Sequence, residues 1–149
     1  MSSPALLLAE DSPEDIRLIL NALHPVVEED MVFLCGDGAE ALDYLLARNA
    51  HAHRADDAPP GVALIDLNLP KVNGLDVLRE LRAHPRTRLL PVVILSATSE
   101  PGVVREAARL GANSYGRSPR TSARLQGPVG SAGRSWLELN TPPPPQPPP

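Results

Sequence analysis

The chain has 149 residues and a mass of 15.9 kDa, room for one domain with a full core. Its 18 Asp+Glu outnumber 14 Lys+Arg, a net charge of −4, which leaves no basic footprint for nucleic acid and no unspecific attraction to anionic membranes. Hydrophobic content of 42% suits an ordinary globular domain, and only 3% aromatics makes the core aliphatic. A single cysteine, Cys35, excludes an intrachain disulfide framework. No charged segment precedes Leu6-Leu7-Leu8, and that run is too short to span a bilayer, so a cytoplasmic protein is expected. The only lysine is Lys71.

In chain order, Ala5 to Ala9 is an apolar run without alternation, which suits a strand buried on both faces. It ends in Glu10-Asp11. Ser12 is placed to cap a helix with Pro13 in its first turn and Asp15 completing a capping box, and Ile16, Ile19, Leu20 and Leu23 give that helix one apolar stripe. Met31 to Cys35 reads as a second strand, with Cys35 a small buried hydrophobe. After Gly36-Asp37-Gly38 a helix carries Ala41, Leu42, Leu45 and Leu46. A polar loop runs from Arg48 to Pro60; its His51-Ala52-His53 reads as solvated loop rather than a metal site. Val62 to Ile65 is a third strand ending at Asp66, Gly74 to Ala83 a third helix, and Pro91 to Leu95 a fourth strand ending at Ser96. Val103, Val104, Ala107, Ala108 and Leu110 mark a fourth helix stopped by Gly111, and Ser114-Tyr115 opens a fifth strand. Right-handed crossovers turn this order into an α/β, doubly wound, five-stranded parallel sheet. A fifth helix is expected next, and the sequence does not supply one.

Ligands bind such sheets at the carboxyl ends of the strands, where Glu10-Asp11, Asp66 and Ser96 stand. Carboxylates crowded at one edge repel one another unless a hard cation joins them, and all-oxygen ligands suit Mg²⁺ better than zinc. With the metal in place, a carboxylate can attack a phosphoryl group and form an aspartyl phosphate. Taken alone, Glu10-Asp11 is more often an acid pair at a helix N-terminus, and Asp66 as a loop cap and Ser96 as a turn former are the lesser alternatives.

The ordered set resembles the receiver domains of two-component response regulators, with the flavodoxin-like receiver fold. The matching segments are Leu8 to Asp15, Gly38-Ala39-Glu40-Ala41-Leu42, Leu64 to Gly74, Ile94-Leu95-Ser96-Ala97 and Gly111 to Tyr115. This resemblance implies Asp66 as phosphoacceptor. It also implies Mg²⁺ held by Asp11 directly, by Glu10 through water and by the backbone carbonyl of Asn68. Ser96 would hydrogen-bond the phosphoryl group, and Tyr115 would be a switch residue, although it reads as well as plain core. Asn68, Asn113-Ser114-Tyr115 and a late Trp136-Leu137-Glu138-Leu139-Asn140 with its proline tail are similar to single-domain regulators that partner bacterial phytochrome kinases. The implied partners are a sensor histidine kinase, a bacteriophytochrome, and a second copy paired through the fourth helix, fifth strand and fifth helix. No nucleic acid and no membrane are implied.

The chain departs from this family in one place. Where the family has a lysine before a proline, Ser118 precedes Pro119, and Arg117 beside it points to the opposite face of a strand. Residues 1–119 read as the receiver domain, 116–135 as an aberrant Gly/Arg/Ser/Pro-rich segment, and 136–149 as a C-terminal extension. The extension's last eight residues hold seven prolines and suit a polyproline II rod. The middle segment, with four Gly, four Arg and four Ser in twenty residues, has the vocabulary of a GC-rich gene read out of frame. Lys-Pro codons AAG-CCN read one base later begin AGC-CN, which can encode Ser-Pro.

Three function classes follow. The first is a receiver that accepts a phosphoryl group from a sensor kinase on Asp66 and signals by protein contact, without being an enzyme. The second is a pseudo-receiver that docks on its kinase without switching, motivated by Ser118. The third is a phosphatase with an Asp nucleophile, which would need an acid two residues later, where Asn68 stands. Resequencing codons 116–135 with peptide mapping is expected to expose two compensating frameshifts; an unbroken frame matched by peptides removes that explanation of Ser118.

Overall fold

The computed structural model describes residues 4–97 and 100–117, with the backbone alone at Arg117. Among the described residues the strands and α-helices follow in order: β1 (Leu6–Ala9), α1 (Pro13–Leu23), β2 (Val32–Cys35), α2 (Gly38–Leu45), β3 (Val62–Asp66), α3 (Gly74–Ala83), β4 (Val92–Ser96), α4 (Pro101–Arg109) and β5 (Ser114–Arg117). The strands form the one five-stranded parallel sheet that the sequence pattern predicts, in the order β2-β1-β3-β4-β5. Winding reverses between β1 and β3, so the crevice of the fold opens at their carboxyl ends. The fifth helix, Ser118 and the segments 118–135 and 136–149 lie outside the described residues.

The apolar strands lack alternation because both faces are covered. Leu7, Ala9, Ala63, Ile65, Val92 and Ile94 pack on one side with α2 and α3, while Leu6, Leu8, Val62, Leu64, Val93 and Leu95 pack on the other with α1. Caps fix where three helices begin. Ser12 Oγ accepts from Asp15 N at 3.3 Å, Asp37 Oδ1 from Glu40 N at 2.7 Å, and Asn73 Oδ1 from Asp76 N at 2.9 Å. At the end of α4, Gly111 takes φ 104°, with Gly111 N donating to Ala108 O and Ala112 N to Ala107 O, the paired bonds of a Schellman stop.

The fourth helix forms where its pattern predicts but buries little: only Ala107 is buried, Val103, Val104 and Leu110 are half-buried, and Ala108 is exposed. Small side chains spaced this way give α4 little area to anchor. One expectation is corrected: the loop from Arg48 is not simply solvated. Asn49–Arg54 winds into a 3-10 segment that lays Arg54 over the Tyr44 ring, 3.6 Å from its centroid, with Nη1 donating to Tyr44 O at 2.7 Å. Phe33 stacks on Tyr44 with centroids 3.7 Å apart, and His51 meets both rings edge-on. Arg86 donates to the carbonyls of Leu45, Arg54, Ala55 and Asp57 and so fastens the segment down. Three polar names, His51, Arg54 and Arg86, thus close the α2 side of the core through ring faces and backbone carbonyls.

Leu78 is fully buried in the α3 contact with the sheet. Leu78→Ala is expected to cost about 2–5 kcal/mol, read as a lower urea midpoint at unchanged slope.

Candidate functional site

Glu10 follows β1 directly and is 2% exposed. Its Oε1 accepts the backbone N–H of Asp11 and of Ser12, each at 3.1 Å, which turns the chain and leaves Asp11 at the surface. Asp66, the last residue of β3, is 8% exposed. One carboxylate oxygen from each of Glu10, Asp11 and Asp66 lies within 4.8 Å of the other two. Neighbouring parallel strands with register Ala9 beside Ile65 bring this about, since the next residues along are Glu10 and Asp66.

Such crowding is electrostatically costly. Burial, then the charge of Asp66, pushes the Glu10 carboxyl up to about 7, with Asp15 and Asp11 adding to the rise and the Ser12 N–H opposing it. A divalent cation fits this donor set: all ligand atoms are oxygens, two of the three carboxylates are buried, and the charge to be neutralised exceeds what the nearby N–H groups supply. Among the described residues this is the one group of three or more metal-ligating side chains, and His51 with His53 does not form another.

Ser96 ends β4, fully buried, one residue beyond Leu95, the register partner of Asp66. Tyr115 pairs in register with Ile94 and sits half-buried against the core on the α2 and α3 side. In β5 the register partner of Ser96 is Arg117. Asn68 is exposed in the loop after β3, two residues beyond Asp66. Lys71, in the same loop, turns away: its Nζ lies 3.5 Å from Asp37 Oδ2.

Sequence reasoning assigned no role to Gly74. A Cβ there would lie 2.5 Å from the Asp66 carbonyl oxygen and 2.9 Å from Leu67 Cα, so α3 starts close beneath the acceptor only because position 74 has no side chain. Gly74 N donates to Leu67 O at 2.8 Å, and Leu67 N to Leu95 O at 2.7 Å, closing the loop at both ends. A glycine where a helix former is expected was the available signal.

This fold and acidic edge define a signalling receiver. Residues 6–126 match the response regulator receiver domain family, and the chain belongs to it. It is 31% identical to the response regulator Rcp1 of Synechocystis over 137 residues, 91% of this chain and 90% of Rcp1. The crystal structure of Mn²⁺-bound Rcp1 superposes with a TM-score of 0.77 at 31% identity, covering 93% of this chain and 97% of Rcp1. The phosphorylated cyanobacterial phytochrome response regulator RcpA gives 0.76 at 31% identity, covering 94% and 98%. The bacteriophytochrome response regulator RtBRR gives 0.74 at 38% identity, covering 97% and 86%. The resemblance read from the motifs is therefore correct at the level of family, and it reaches past Tyr115. Among the described residues no helix is long and apolar enough to cross a membrane.

Because the Glu10 carboxyl is raised in the fold, its contribution to stability is fully present below its ordinary value of 4.5 and is lost as pH rises through about 7. The metal-free protein is expected to melt lower at pH 7.5 than at pH 5.5. Mg²⁺ is expected to restore the loss with release of protons, and Glu10→Gln to flatten the profile; thermal melts in EDTA and in Mg²⁺ check this.

Proposed function

We propose that the chain is a phosphorylation switch of a two-component system. It takes a phosphoryl group from the phosphohistidine of a sensor histidine kinase onto Asp66 and passes the signal by protein contact. The observation that carries this reading is the meeting of Glu10, Asp11 and Asp66 within 4.8 Å at the carboxyl edge of the sheet. An Asp66 oxygen attacks phosphorus, the P–N bond breaks, and the histidine nitrogen keeps the electron pair. Mg²⁺ held by Glu10, Asp11, Asp66 and the Asn68 carbonyl would neutralise charge on the phosphoryl oxygens. Ser96 donates its hydroxyl to the phosphoryl group, and Tyr115 follows the movement of the β4–α4 connection.

Phytochrome partnership is supported by RcpA and RtBRR, both phytochrome response regulators. A cytoplasmic protein with no enzymatic turnover fits this role, since Asn68 stands where a phosphatase would need its second acid. A homodimer through α4 and β5 belongs to the same reading. Ser118 supports one second reading, a module that docks on its kinase and does not switch, because the cation that would join the phosphoryl group to β5 is missing there.

Intact mass before and after acetyl phosphate with Mg²⁺ separates the two. A gain of one phosphoryl group in wild type and none in Asp66→Asn is expected, with Ser96→Ala labelled but conformationally silent. No gain under conditions that label a control receiver favours the docking module.

A further inference from the structure

The loop from Leu67 to Asn73 links Asp66 to α3, and its conformation is not one the loop would choose alone. Lys71 has φ 68°, and Val72 N donates to Pro70 O at 2.8 Å, which makes residues 70–72 a three-residue turn about a left-handed, non-glycine centre. Such turns are strained and persist where the surroundings hold them. The holding group comes from a different crossover. Gly38, the first residue of α2, donates its N–H to the same Pro70 carbonyl at 3.1 Å.

Side-chain contacts agree. A Cβ on Gly38 would run into the Val72 carbonyl oxygen and lie 2.7 Å from the Val72 carbonyl carbon and 2.9 Å from its Cβ. Asp37, which caps α2 through Oδ1, offers its other oxygen to Lys71 Nζ at 3.5 Å. Gly36, two residues earlier, has nothing within 4 Å of the same test position. One glycine of the pair is therefore pressed against the acceptor loop and the other is free of it.

We propose that the N-terminus of α2 is a positioning element of the acceptor site. Gly38 and Asp37 hold the strained turn at Lys71 and thereby fix the loop that leaves Asp66 and carries Asn68. This rests on the reading of Asp66 and its neighbours as a cation and phosphoryl site. Gly38 touches neither cation nor phosphoryl group; it acts through Pro70 and Val72. Outer partners of this kind commonly change metal affinity rather than the chemistry of the ligands.

The test titrates Mg²⁺ by calorimetry into wild type, Gly38→Ala, Asp37→Asn and Gly36→Ala, and follows hydrogen exchange of the Gly74 amide in the metal-free proteins. Gly38→Ala is expected to weaken Mg²⁺ roughly tenfold and to speed Gly74 exchange, with labelling by acetyl phosphate recovering at saturating Mg²⁺. Asp37→Asn keeps a capping side chain and removes the ion pair, so about twofold weaker binding at low salt is expected, vanishing at high salt. Gly36→Ala should match wild type. Unchanged Mg²⁺ affinity in Gly38→Ala, or a lower melting temperature with unchanged affinity, overturns the proposal; if Gly38→Ala does not fold, unchanged affinity in Asp37→Asn at low salt overturns it. A wild-type chain that binds no Mg²⁺ removes the functional reading and this role with it, which distinguishes the two failures.

Discussion

Bringing three carboxylates to one sheet edge is the constraint around which the rest of this molecule is arranged. Glu10 and Asp66 are 2% and 8% exposed, so water screens their repulsion poorly. The topology gives no alternative, because β1 and β3 are hydrogen-bonded neighbours whose chains leave the sheet side by side. What the fold adds is partial compensation. Two backbone N–H groups point at Glu10, and the capped start of α1 follows within three residues. Those dipoles lower the cost without removing it, which leaves a site whose missing charge is about that of a small hard cation.

The two flanks of this site are fastened very differently. On the α2 and α3 side the acceptor loop is closed by hydrogen bonds at both ends, pressed by glycine-enabled contacts, and backed by the Phe33, Tyr44 and Arg54 cluster. On the other flank α4 buries only Ala107 and is held at its end by Arg82, which donates to Gly111 O and Asn113 Oδ1. Burial energy scales with apolar area, so among the described helices α4 has the least to lose on moving. In the proposed switch, a change of charge at Asp66 would act against one firmly held flank and one lightly held helix.

Much of this was legible from residues alone, for a physical reason. Buried parallel strands such as Val62–Asp66 have no polar face, so their apolar runs stand out, and those of β1, β3 and β4 give way to Glu10, Asp66 and Ser96, which point to a site as a set although each has a structural explanation alone. Ser12 and Gly111 announced their helix ends through local backbone chemistry. Three things were hidden. Arg54 and Arg86 look like surface residues because composition does not show a guanidinium lying on a ring or feeding carbonyls from a neighbouring segment. The weak anchoring of α4 was hidden because Val103, Val104 and Ala108 follow a helical period whether or not the sheet faces them. Gly38 and Gly74 carried no visible role because the atoms they admit, in Val72 and Asp66, come from other parts of the chain.

Cation supply is the remaining question at the site, and the commitments of the basic side chains narrow it. Arg82 directs five donor contacts to carbonyls and Asn113, Arg86 is spent on four carbonyls, and Arg54 lies under Tyr44. Lys71, the one lysine, faces Asp37 from a left-handed backbone position. Each of these cations holds backbone or loop together, and releasing any one to meet a phosphoryl group would unfasten the segment it holds. In the proposed switch, the loop-fastening cations among the described residues are thus unavailable to a phosphorylated Asp66, and its neutralisation would fall first on a bound divalent ion and on the N–H groups at the sheet edge. The acidic cluster would then be both the source of the repulsion and, through that cation, its remedy.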